Sequence, residues 1–331
     1  MHDDTREHPG AGTTTPGSGT DATRAFLDDV QEGLALSPAQ LSPKYFYDEA
    51  GSRLFDRICE LPEYYPTRTE TAILERSGPA IGERLGPDAL VIEPGSGSSA
   101  KVSLLLRHMQ SPAGYVPVEI SGEHMHASLA PLRERFPELP IHPVCADFTE
   151  PFSLPAGTPE HRSAVIFFPG STLGNFPPDE AVHLLSRFRG LLGERGGLLL
   201  GVDRRKDPEI LKAAYNDAAG VTAQFNRNLL VRMQRELEAE LDPAGFEHRA
   251  VWNDTESRIE MHLISQGRQQ IRVGGRTFQF EDGDPIVTEY SCKYSDDGIR
   301  DVAARAGLRV ADGWTDDRHW FSVVYLTPDS A

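Results

Sequence analysis

Short apolar segments alternate with segments of helical periodicity through the middle of the chain. Each apolar segment is long enough for one buried strand, whereas the segments between them place apolar residues three or four positions apart. This alternation is typical of a parallel sheet whose two faces are covered by helices. We predict strands at residues 89–93, 114–120, 141–145, 164–168 and 197–202, and helices at residues 100–109, 122–136 and 179–192.

The end of the chain predicts a different type of strand pairing. Residues 296–306 have helical periodicity, and residues 308–314 and 320–326 are two strand-like segments separated by a short turn at 315–318. Strands joined by so short a turn are antiparallel. The predicted fold class is therefore α/β, a doubly wound, Rossmann-like sheet with an antiparallel C-terminal hairpin. This combination resembles the class I methyltransferase fold more than an ordinary dinucleotide-binding domain.

The chain begins with a polar segment that is followed by a helical one. Residues 1–20 are rich in Thr, Gly, Asp and Pro and have almost no apolar side chains. They cannot bury enough surface to offset the entropy lost on folding, so we predict a disordered tail. Residues 21–85 have apolar positions at helical spacing, with interruptions at Pro62 and Pro66. We expect this helical region to contribute to a substrate site.

A long insertion separates the fifth predicted strand from the last helix. Residues 207–241 are mostly helical in pattern, whereas residues 249–266 and 269–280 alternate as strands do, with Gly274-Gly275 as a hairpin turn. The insertion is predicted to be an α+β domain that faces the substrate. The predicted main domain comprises residues 86–203 and 295–331, and the predicted inserted domain comprises residues 204–294.

The charge of the chain disfavours two classes of partner. The 331 residues include 50 acidic and 33 basic side chains, which leaves a formal net charge of −17 at neutral pH. This charge repels nucleic-acid phosphates and anionic lipids, so we expect neither nucleic acid nor membrane as a partner. A small-molecule substrate fits the composition better.

The cysteines and the absence of targeting patterns indicate the compartment. Cys59, Cys145 and Cys292 are odd in number and widely spaced, which suggests neither a disulfide framework nor a cysteine-based zinc site. No apolar stretch has the length needed to cross a bilayer, and the N-terminus lacks the pattern of a signal peptide. We expect a cytoplasmic monomer.

A glycine turn follows the first predicted strand, where an acidic residue ends an apolar run. Gly95 and Gly97 allow backbone conformations and a close ligand approach that a Cβ would obstruct. With Ala100 and the downstream Glu119, the turn satisfies a relaxed dinucleotide fingerprint. A nucleoside cofactor without a pyrophosphate, such as S-adenosylmethionine, requires the same turn and the same acid. A structural turn without any ligand is the third interpretation.

Polar and aromatic residues follow the other predicted strands at the edge where ligands bind in open α/β sheets. Glu119 follows the second strand, and its carboxylate can accept hydrogen bonds from both ribose hydroxyls. Asp147 and Phe148 follow the third strand, where an acid can accept an adenine amino proton and a ring can stack on the base. Lys101 can meet a cofactor carboxylate. Each acid can instead cap a helix, and a solvated lysine is equally common.

Three other segments have unusual composition. Residues 167–178 combine glycines, prolines and aromatic residues around Asn175, which predicts a rigid loop that presents an amide. Tyr64 lies between two prolines. Glu289 and Ser291 are two positions apart in a predicted strand and so share one face. A carboxylate and a hydroxyl side by side can bind the two nitrogens of an imidazole. A solvent-exposed strand face can have the same two residues without binding anything.

Metal binding and nucleophilic catalysis are disfavoured. The histidines are dispersed, and His124 and His126 are not one helical turn apart, so we expect no metal site. The segment from Gly170 to Gly174 matches the nucleophile elbow of serine hydrolases only loosely, because no residue separates Gly170 from Ser171.

Five strings in fixed order resemble one family, the histidine-specific methyltransferases of ergothioneine biosynthesis. The resemblance extends from about residue 25 to the end of the chain. It implies a class I fold with an inserted substrate domain and the conversion of L-histidine to its Nα-trimethyl betaine, hercynine, with three molecules of S-adenosylmethionine. The strings are residues 44–48, 61–70, 168–175, 214–222 and 288–293.

The resemblance also implies roles for individual residues. Glu119 occupies a position where many relatives have aspartate, so the ribose contact is kept in kind but is longer by one methylene. Tyr64 and Asn175 are the implied catalytic residues, with Tyr64 near the substrate amine, and Asn175 and Tyr215 near the carboxylate. The implied cofactor residues are Gly95, Lys101, Glu119, Asp147 and Phe148, and the implied substrate residues are Tyr64, Asn175, Tyr215, Met261, Glu289 and Ser291.

Two other classes of protein account for part of the pattern. A nicotinamide-dependent oxidoreductase would have the glycine turn, and a binding protein without activity would have the histidine site. A methyltransferase for a different amino acid or amine is a closer alternative. Retention of both Glu289 and Ser291 favours histidine over indole substrates, because an indole would leave the carboxylate unpaired.

Overall fold

The computed structural model describes residues 19–120 and 122–329. The disordered tail predicted for residues 1–20 lies outside the described residues, except for Gly19 and Thr20, which begin the first helix and correct the predicted boundary. The helices are α1 (Gly19–Leu34), α2 (Glu49–Glu60), α3 (Tyr65–Leu85), α4 (Ala100–Leu106), α5 (Gly122–Arg135), α6 (Pro178–Leu192), α7 (Pro208–Ala214), α8 (Val221–Leu237) and α9 (Asp296–Arg305). The strands are β1 (Ala39–Gln40), β2 (Ala89–Pro94), β3 (Gly114–Glu119), β4 (Val144–Cys145), β5 (Ser163–Phe168), β6 (Gly197–Asp203), β7 (Phe246–Asn253), β8 (Arg258–Ser265), β9 (Gln269–Val273), β10 (Arg276–Phe280), β11 (Pro285–Cys292), β12 (Leu308–Thr315) and β13 (Phe321–Pro328).

The larger of the described sheets has the predicted architecture. Its strand order is β12-β13-β6-β5-β2-β3-β4. The five strands from β6 to β4 are parallel, whereas β13 is antiparallel to both β6 and β12. The prediction of a doubly wound sheet with an antiparallel C-terminal hairpin is confirmed.

Both faces of this sheet are covered by helices, which explains why its central strands are continuously apolar. In β2, Leu90 and Ile92 pack toward α6 and α9, whereas Ala89 and Val91 pack toward α3, α4 and α5. Every residue of β2 and β6 is buried. Because both faces are buried, the strands are apolar except near their carboxyl ends, where Glu93 and Asp203 lie.

The third predicted strand is shorter than expected. Residues 141–145 were assigned to one strand, but only Val144 and Cys145 form β4, and Ile141 makes an isolated bridge to Tyr115. Pro143 lies between them and has no N–H to donate to the neighbouring strand. The segment lies at the edge of the sheet, where one side of the ladder has no partner.

A second described sheet, of order β1-β11-β8-β7, carries the inserted residues. Residues 207–241 are mostly helical, as predicted, but they form two helices, α7 and α8, with a break at residues 215–220. Asp217 causes this break by accepting hydrogen bonds from the N–H groups of Val221 and Thr222 at the start of α8, at 2.9 and 2.8 Å.

The predicted hairpin is confirmed. Gly274 and Gly275 form the turn between β9 and β10, with φ values of +54° and +77° that favour glycine.

The N-terminal helices and the inserted residues share one hydrophobic core. Phe26 and Phe46 pack in the same cluster as Phe225 and Ile259, and the rings of Phe46 and Phe225 are stacked 4.4 Å apart. Strand β1 also joins the insertion by pairing with β11. The two segments therefore form one packed structural unit. None of the described helices is both long and apolar enough to span a bilayer.

Candidate active site

The glycine turn after β2 adopts a backbone conformation that requires glycine. Gly95 and Gly97 have φ values of +67° and +45°. The N–H of Gly95 donates to the carbonyl of Val118, which ties the turn to β3. A Cβ on Gly95 would lie 3.1 Å from a ring carbon of Phe148. The turn therefore forms a shallow cradle that is covered on one side by an aromatic ring.

Glu119 lies over this turn, as the sequence predicted. Its Oε2 accepts a hydrogen bond from the N–H of Gly97 at 3.2 Å, and its Oε1 accepts one from the N–H of Ile120 at 2.9 Å. These two bonds orient the carboxylate above the glycine turn.

Asp147 and Phe148 follow β4, close to the turn. Oδ1 of Asp147 accepts hydrogen bonds from the N–H and the hydroxyl of Thr149, at 2.8 and 2.6 Å, so one carboxylate oxygen orders the local chain. Its Oδ2 makes neither of these bonds and can accept a hydrogen bond from a ligand. The ring of Phe148 contacts the edges of Phe168 and Phe176, which fix its orientation.

Lys101 has a partner that the sequence analysis missed. Its Nζ lies 2.6 Å from Oε2 of Glu70, which is 1% exposed. Glu70 also accepts the N–H of Gly170 at 2.9 Å, so it joins α3 to α4 and to the loop after β5. Its position inside the 61–70 string was the available signal, but spacing alone does not identify the partner of a carboxylate.

These residues fit an adenosyl sulfonium cofactor. The cradle at Gly95 would be filled by a Cβ, Glu119 presents acceptors above it, and Phe148 closes one side with an apolar face. All of the predicted cofactor residues therefore lie at one edge of the sheet, beyond the carboxyl ends of β2, β3 and β4.

A cluster of aromatic side chains, the aromatic recess, lies near Glu289. The rings of Tyr64 and Tyr215 are 6.1 Å apart, Phe55 lies 6.3 Å from Tyr64, and Tyr47 lies 5.6 Å from Phe55. Burial raises the pKa of Tyr64 well above its usual value, so its hydroxyl keeps its proton. This hydroxyl makes no hydrogen bond to any described residue. Tyr47 and Phe55 were not predicted as site residues.

Glu289 and Ser291 lie on the same face of β11, as predicted from their spacing. Glu289 pairs with Met261 of β8 across the sheet, so these two predicted site residues are neighbours. The carboxylate of Glu289 accepts no hydrogen bond from the described residues. Burial raises the pKa of Glu289 to about 7, and the nearby charge of Lys293 opposes this shift. Its carboxylate is therefore available to accept a hydrogen bond from a ligand N–H.

Ser291 is part of a buried hydrogen-bond network. Its Oγ lies 2.7 Å from Oη of Tyr215. Nζ of Lys293 donates to Ser291 at 2.7 Å and to Tyr215 at 2.9 Å. The predicted carboxylate contact, Tyr215, thus has its hydroxyl beside a residue predicted to bind the ring.

The network continues to charged groups behind the recess. Lys293 lies 2.8 Å from Asp203, and Asp203 also pairs with Lys206 at 2.6 Å and accepts from the hydroxyl of Tyr65. Burial alone would raise the pKa of Asp203, but the two lysines hold it below its usual value. Burial lowers the pKa of Lys206 to about 8, against the opposing effect of Asp203. These four residues were also not predicted, although Asp203 ends β6 at the ligand-binding edge.

Asn175 ends a short 3-10 helix, Thr172–Asn175, after β5. This loop is pressed against β11, because a Cβ on Gly174 would lie 2.8 Å from the carbonyl oxygen of Cys292. The amide of Asn175 makes no hydrogen bond to the described residues, including the other predicted site residues. The loop therefore presents a free amide next to the strand that carries Glu289.

The described part of the chain contains no group of three or more His, Cys, Asp or Glu residues placed to hold a metal ion. Its cysteines, Cys59, Cys145 and Cys292, are unpaired thiols.

A doubly wound sheet with an antiparallel hairpin, a glycine turn beneath an acid and an adjacent aromatic recess define an S-adenosylmethionine-dependent class I methyltransferase. The family model described as histidine-specific methyltransferase, SAM-dependent, matches residues 26–328. The chain belongs to this family.

Similar proteins extend over most of the chain. A histidine N-alpha-methyltransferase from Mycobacterium tuberculosis is 41% identical over 88% of this chain and 92% of its own length. A protein of the same name from Mycolicibacterium smegmatis is 41% identical over 89% of this chain and 92% of its own length. Ergothioneine biosynthesis protein 1 from Schizosaccharomyces pombe is 25% identical over 88% of this chain and 39% of its own length.

Proposed function

We propose that this protein methylates the α-amino nitrogen of L-histidine three times with S-adenosylmethionine and releases hercynine, the first step of ergothioneine biosynthesis. One observation carries the choice of substrate. Glu289 has a half-buried carboxylate with no hydrogen-bond donor among the described residues, and Ser291 lies two positions away on the same face of β11. An acceptor beside a hydroxyl matches the two ring nitrogens of imidazole.

The same pair disfavours other aromatic amino acids. An indole or phenyl ring would leave at least one of these polar groups without a partner in a closed site, which costs about 1–3 kcal/mol for each group. Met261 packs opposite Glu289 and supplies the apolar face of the ring pocket.

The backbone of the substrate is bound by groups around the recess. The amide of Asn175 donates to the carboxylate and accepts from the amine. Tyr64 orients the amine through its hydroxyl oxygen. Because burial keeps the Tyr64 phenol protonated and its pKa high, a water held by Tyr64, rather than a phenolate, removes the amine proton. Tyr215 lies beside this group, with its ring 6.1 Å from that of Tyr64.

The cofactor, when bound, supplies an activated methyl carbon on a sulfonium. The protein aligns the neutral amine behind that carbon and excludes water, which is sufficient for catalysis without a protein nucleophile. The aromatic faces of Tyr47, Phe55 and Tyr64 stabilise the growing ammonium. A trimethylated nitrogen has no lone pair, so the reaction stops at the betaine.

The predicted cofactor residues bind the rest of the S-adenosylmethionine molecule. Glu119 accepts the ribose hydroxyls, Asp147 accepts the adenine amino group and Phe148 packs against the base. Lys101, held by Glu70, faces the carboxylate of the cofactor.

We also propose that the protein is a cytoplasmic monomer with no nucleic-acid or membrane partner. Its net charge of −17 supports this proposal, because like charges repel both phosphates and anionic lipids. Light scattering of the purified protein measures its molar mass in solution. We expect the mass of one chain, and the mass of two chains would contradict the proposed monomer.

Mass spectrometry of the purified protein with S-adenosylmethionine and each of the twenty amino acids tests the function. We expect histidine to gain up to three methyl groups and the other amino acids to gain none. Absence of methyl transfer to histidine would reject the proposal, and faster methylation of another amino acid would replace the substrate. A change in nicotinamide fluorescence would favour an oxidoreductase, and histidine binding without turnover would favour a binding protein.

A further inference from the structure

The buried ammonium group of Lys293 uses all three of its protons within the protein. Nζ donates to Tyr215 and Ser291 at 2.9 and 2.7 Å and pairs with Asp203 at 2.8 Å. The side chain of Lys293 is fully buried. Although burial opposes its charge, Asp203 and Tyr215 raise the pKa of Lys293, so it stays an ammonium. Neither hydroxyl can therefore donate back to Nζ.

The contacts of Lys293 limit how the hydroxyls of Tyr215 and Ser291 can bind a ligand. They are 2.7 Å apart, so one hydroxyl proton lies between the two oxygens. Each oxygen already accepts from Lys293. Only one of the two hydroxyl protons is left to point toward the recess. The pair can donate one hydrogen bond to a ligand, from Ser291 or from Tyr215, but not from both.

The chemistry of the two groups decides which hydroxyl donates outward. A phenol is more acidic than an alkyl alcohol, so it is the stronger donor, and the serine oxygen is the stronger acceptor. Either hydroxyl can be the donor in this pair, and the acidity of the phenol favours donation from Tyr215 to Ser291. The Ser291 oxygen then accepts two hydrogen bonds, from Tyr215 and Lys293, which occupy both of its lone pairs. In this favoured arrangement, Ser291 acts toward the ligand as a donor and not as an acceptor.

We propose that Lys293 is a positioning residue that makes the site select the neutral imidazole ring of histidine over the imidazolium. This inference rests on the proposed function. The unprotonated ring nitrogen accepts from Ser291, and the ring N–H donates to Glu289. An imidazolium has no acceptor and would direct its second N–H at an oxygen with no free lone pair.

Four charged groups lie around the proposed ring site. Lys293 and Lys206 outnumber Asp203 in the buried cluster behind Ser291, and Glu289 adds a negative charge on the side of the ring. These charges balance, so the hydrogen-bond pattern at Ser291 decides which form of the ring is bound. Other titratable groups near the recess are Tyr47, Cys59, Tyr64, Tyr65, Glu119 and Tyr215, and Asp316 lies near Lys206.

The ratio of the kcat/KM values of two substrates reports the protonation state of the ring that the site binds. The substrates are histidine and 3-(1,2,4-triazol-3-yl)alanine, whose ring keeps an N–H and an acceptor nitrogen but stays neutral between pH 5 and 8. Titration of any protein group affects kcat/KM for both substrates and cancels in the ratio. For the wild type, we expect the ratio of triazole to histidine to rise roughly tenfold for each pH unit below about 6.5, the pKa of imidazole.

Two lysine variants assign this effect. Lys293→Met removes the donors to Ser291 and Tyr215, which frees a lone pair for an imidazolium N–H, so we expect the ratio to become nearly independent of pH. Lys206→Met is the matched control, because Lys206 also pairs with Asp203 but does not contact Ser291 or Tyr215. We expect this control to keep the pH dependence of the wild type.

Two outcomes overturn the proposal. A wild-type ratio that does not change with pH would mean that the site accepts imidazolium, and this measurement remains valid if Lys293→Met fails to fold. An unchanged slope in a folded Lys293→Met variant would mean that Lys293 does not select the ring. Failure of the proposed function is a distinct result, since the wild type would then methylate neither substrate at any pH.

Discussion

Nζ of Lys101 lies 2.6 Å from Oε2 of Glu70, although the two residues belong to different helices, α4 and α3. Glu70 also accepts the N–H of Gly170, at the start of the loop that carries Asn175. One buried carboxylate thus links the proposed cofactor contact to the proposed substrate loop. A change at Glu70 should therefore affect both sides of the site.

We expect Glu70→Gln to lower the free energy of unfolding by about 2 kcal/mol, because it replaces charged hydrogen bonds with neutral ones. It should also raise KM for S-adenosylmethionine, since Lys101 is no longer held by an ion pair. Urea denaturation and initial rates measure the two effects. Glu83→Gln, at an exposed position of the same helix, is the control and should change neither. Wild-type stability in Glu70→Gln would show that the ion pair does not stabilise the fold.

Gly95→Ala should weaken binding of S-adenosylmethionine. The added Cβ would lie 3.1 Å from the ring of Phe148 and would displace it from the cradle. Gly86→Ala is a matched control, because Gly86 also has a positive φ, +73°, but has no atom within 4 Å of the added Cβ. Both variants should lose about 1–3 kcal/mol of stability from backbone strain. Only Gly95→Ala should raise the dissociation constant in calorimetry, and equal affinities would argue against the cradle.

The buried carboxyl of Glu93 should make stability fall as pH rises. Burial raises the pKa of Glu93 from its usual 4.5 to about 8, while a hydrogen bond from Tyr115 and the charge of Lys101 oppose this shift. Between these pH values the folded state holds a proton that the unfolded state has released. The contribution is complete below pH 4.5 and is lost by about pH 8, at about 1.4 kcal/mol per pH unit.

Glu93→Gln removes this proton linkage and keeps the shape of the side chain. We expect its unfolding free energy, measured by urea titration from pH 5 to 8, to decline less steeply than that of the wild type. Glu75→Gln, at an exposed position, serves as the control. Parallel curves for Glu93→Gln and the wild type would contradict the assignment.

Glu289→Ala and Asn175→Ala should each lower kcat/KM for histidine by roughly a hundredfold or more, because each removes a polar contact in a closed site. Glu281→Ala, at an exposed position, is the control for general effects on the protein. Near-normal turnover of histidine by either site variant would remove that residue from the mechanism.

The pH profile should also report the ionisation of Glu289. Because burial raises the pKa of Glu289 to about 7, kcat/KM for the triazole substrate should fall below about pH 7, where the carboxylate gains a proton and can no longer accept the ring N–H. Glu289→Gln should lose this acidic limb. Its persistence in the variant would assign the limb to another group.

The sequence predicted those elements that are recognisable from the pattern of their own residues. The segments that became β2 and β5 were predicted because both of their faces are apolar. Residues 207–241 are mostly helical as predicted, but the break between α7 and α8 was not predicted, because it depends on a distant contact as well as on the local bonds of Asp217. His248 Nε2 bonds to the carbonyl of Tyr215 at 2.8 Å, which holds the chain outside a helix.

The sequence by itself determined the order of strands and helices, the glycine turn at Gly95 and the shared face of Glu289 and Ser291. These features depend on residue type and on spacing along the chain, which local geometry converts directly into structure. Only the tertiary structure decided that Lys101 pairs with Glu70 and that Lys293 donates to Tyr215 and Ser291. A hydrogen-bond partner depends on which distant segments meet in the folded chain, and side-chain chemistry alone permits many partners.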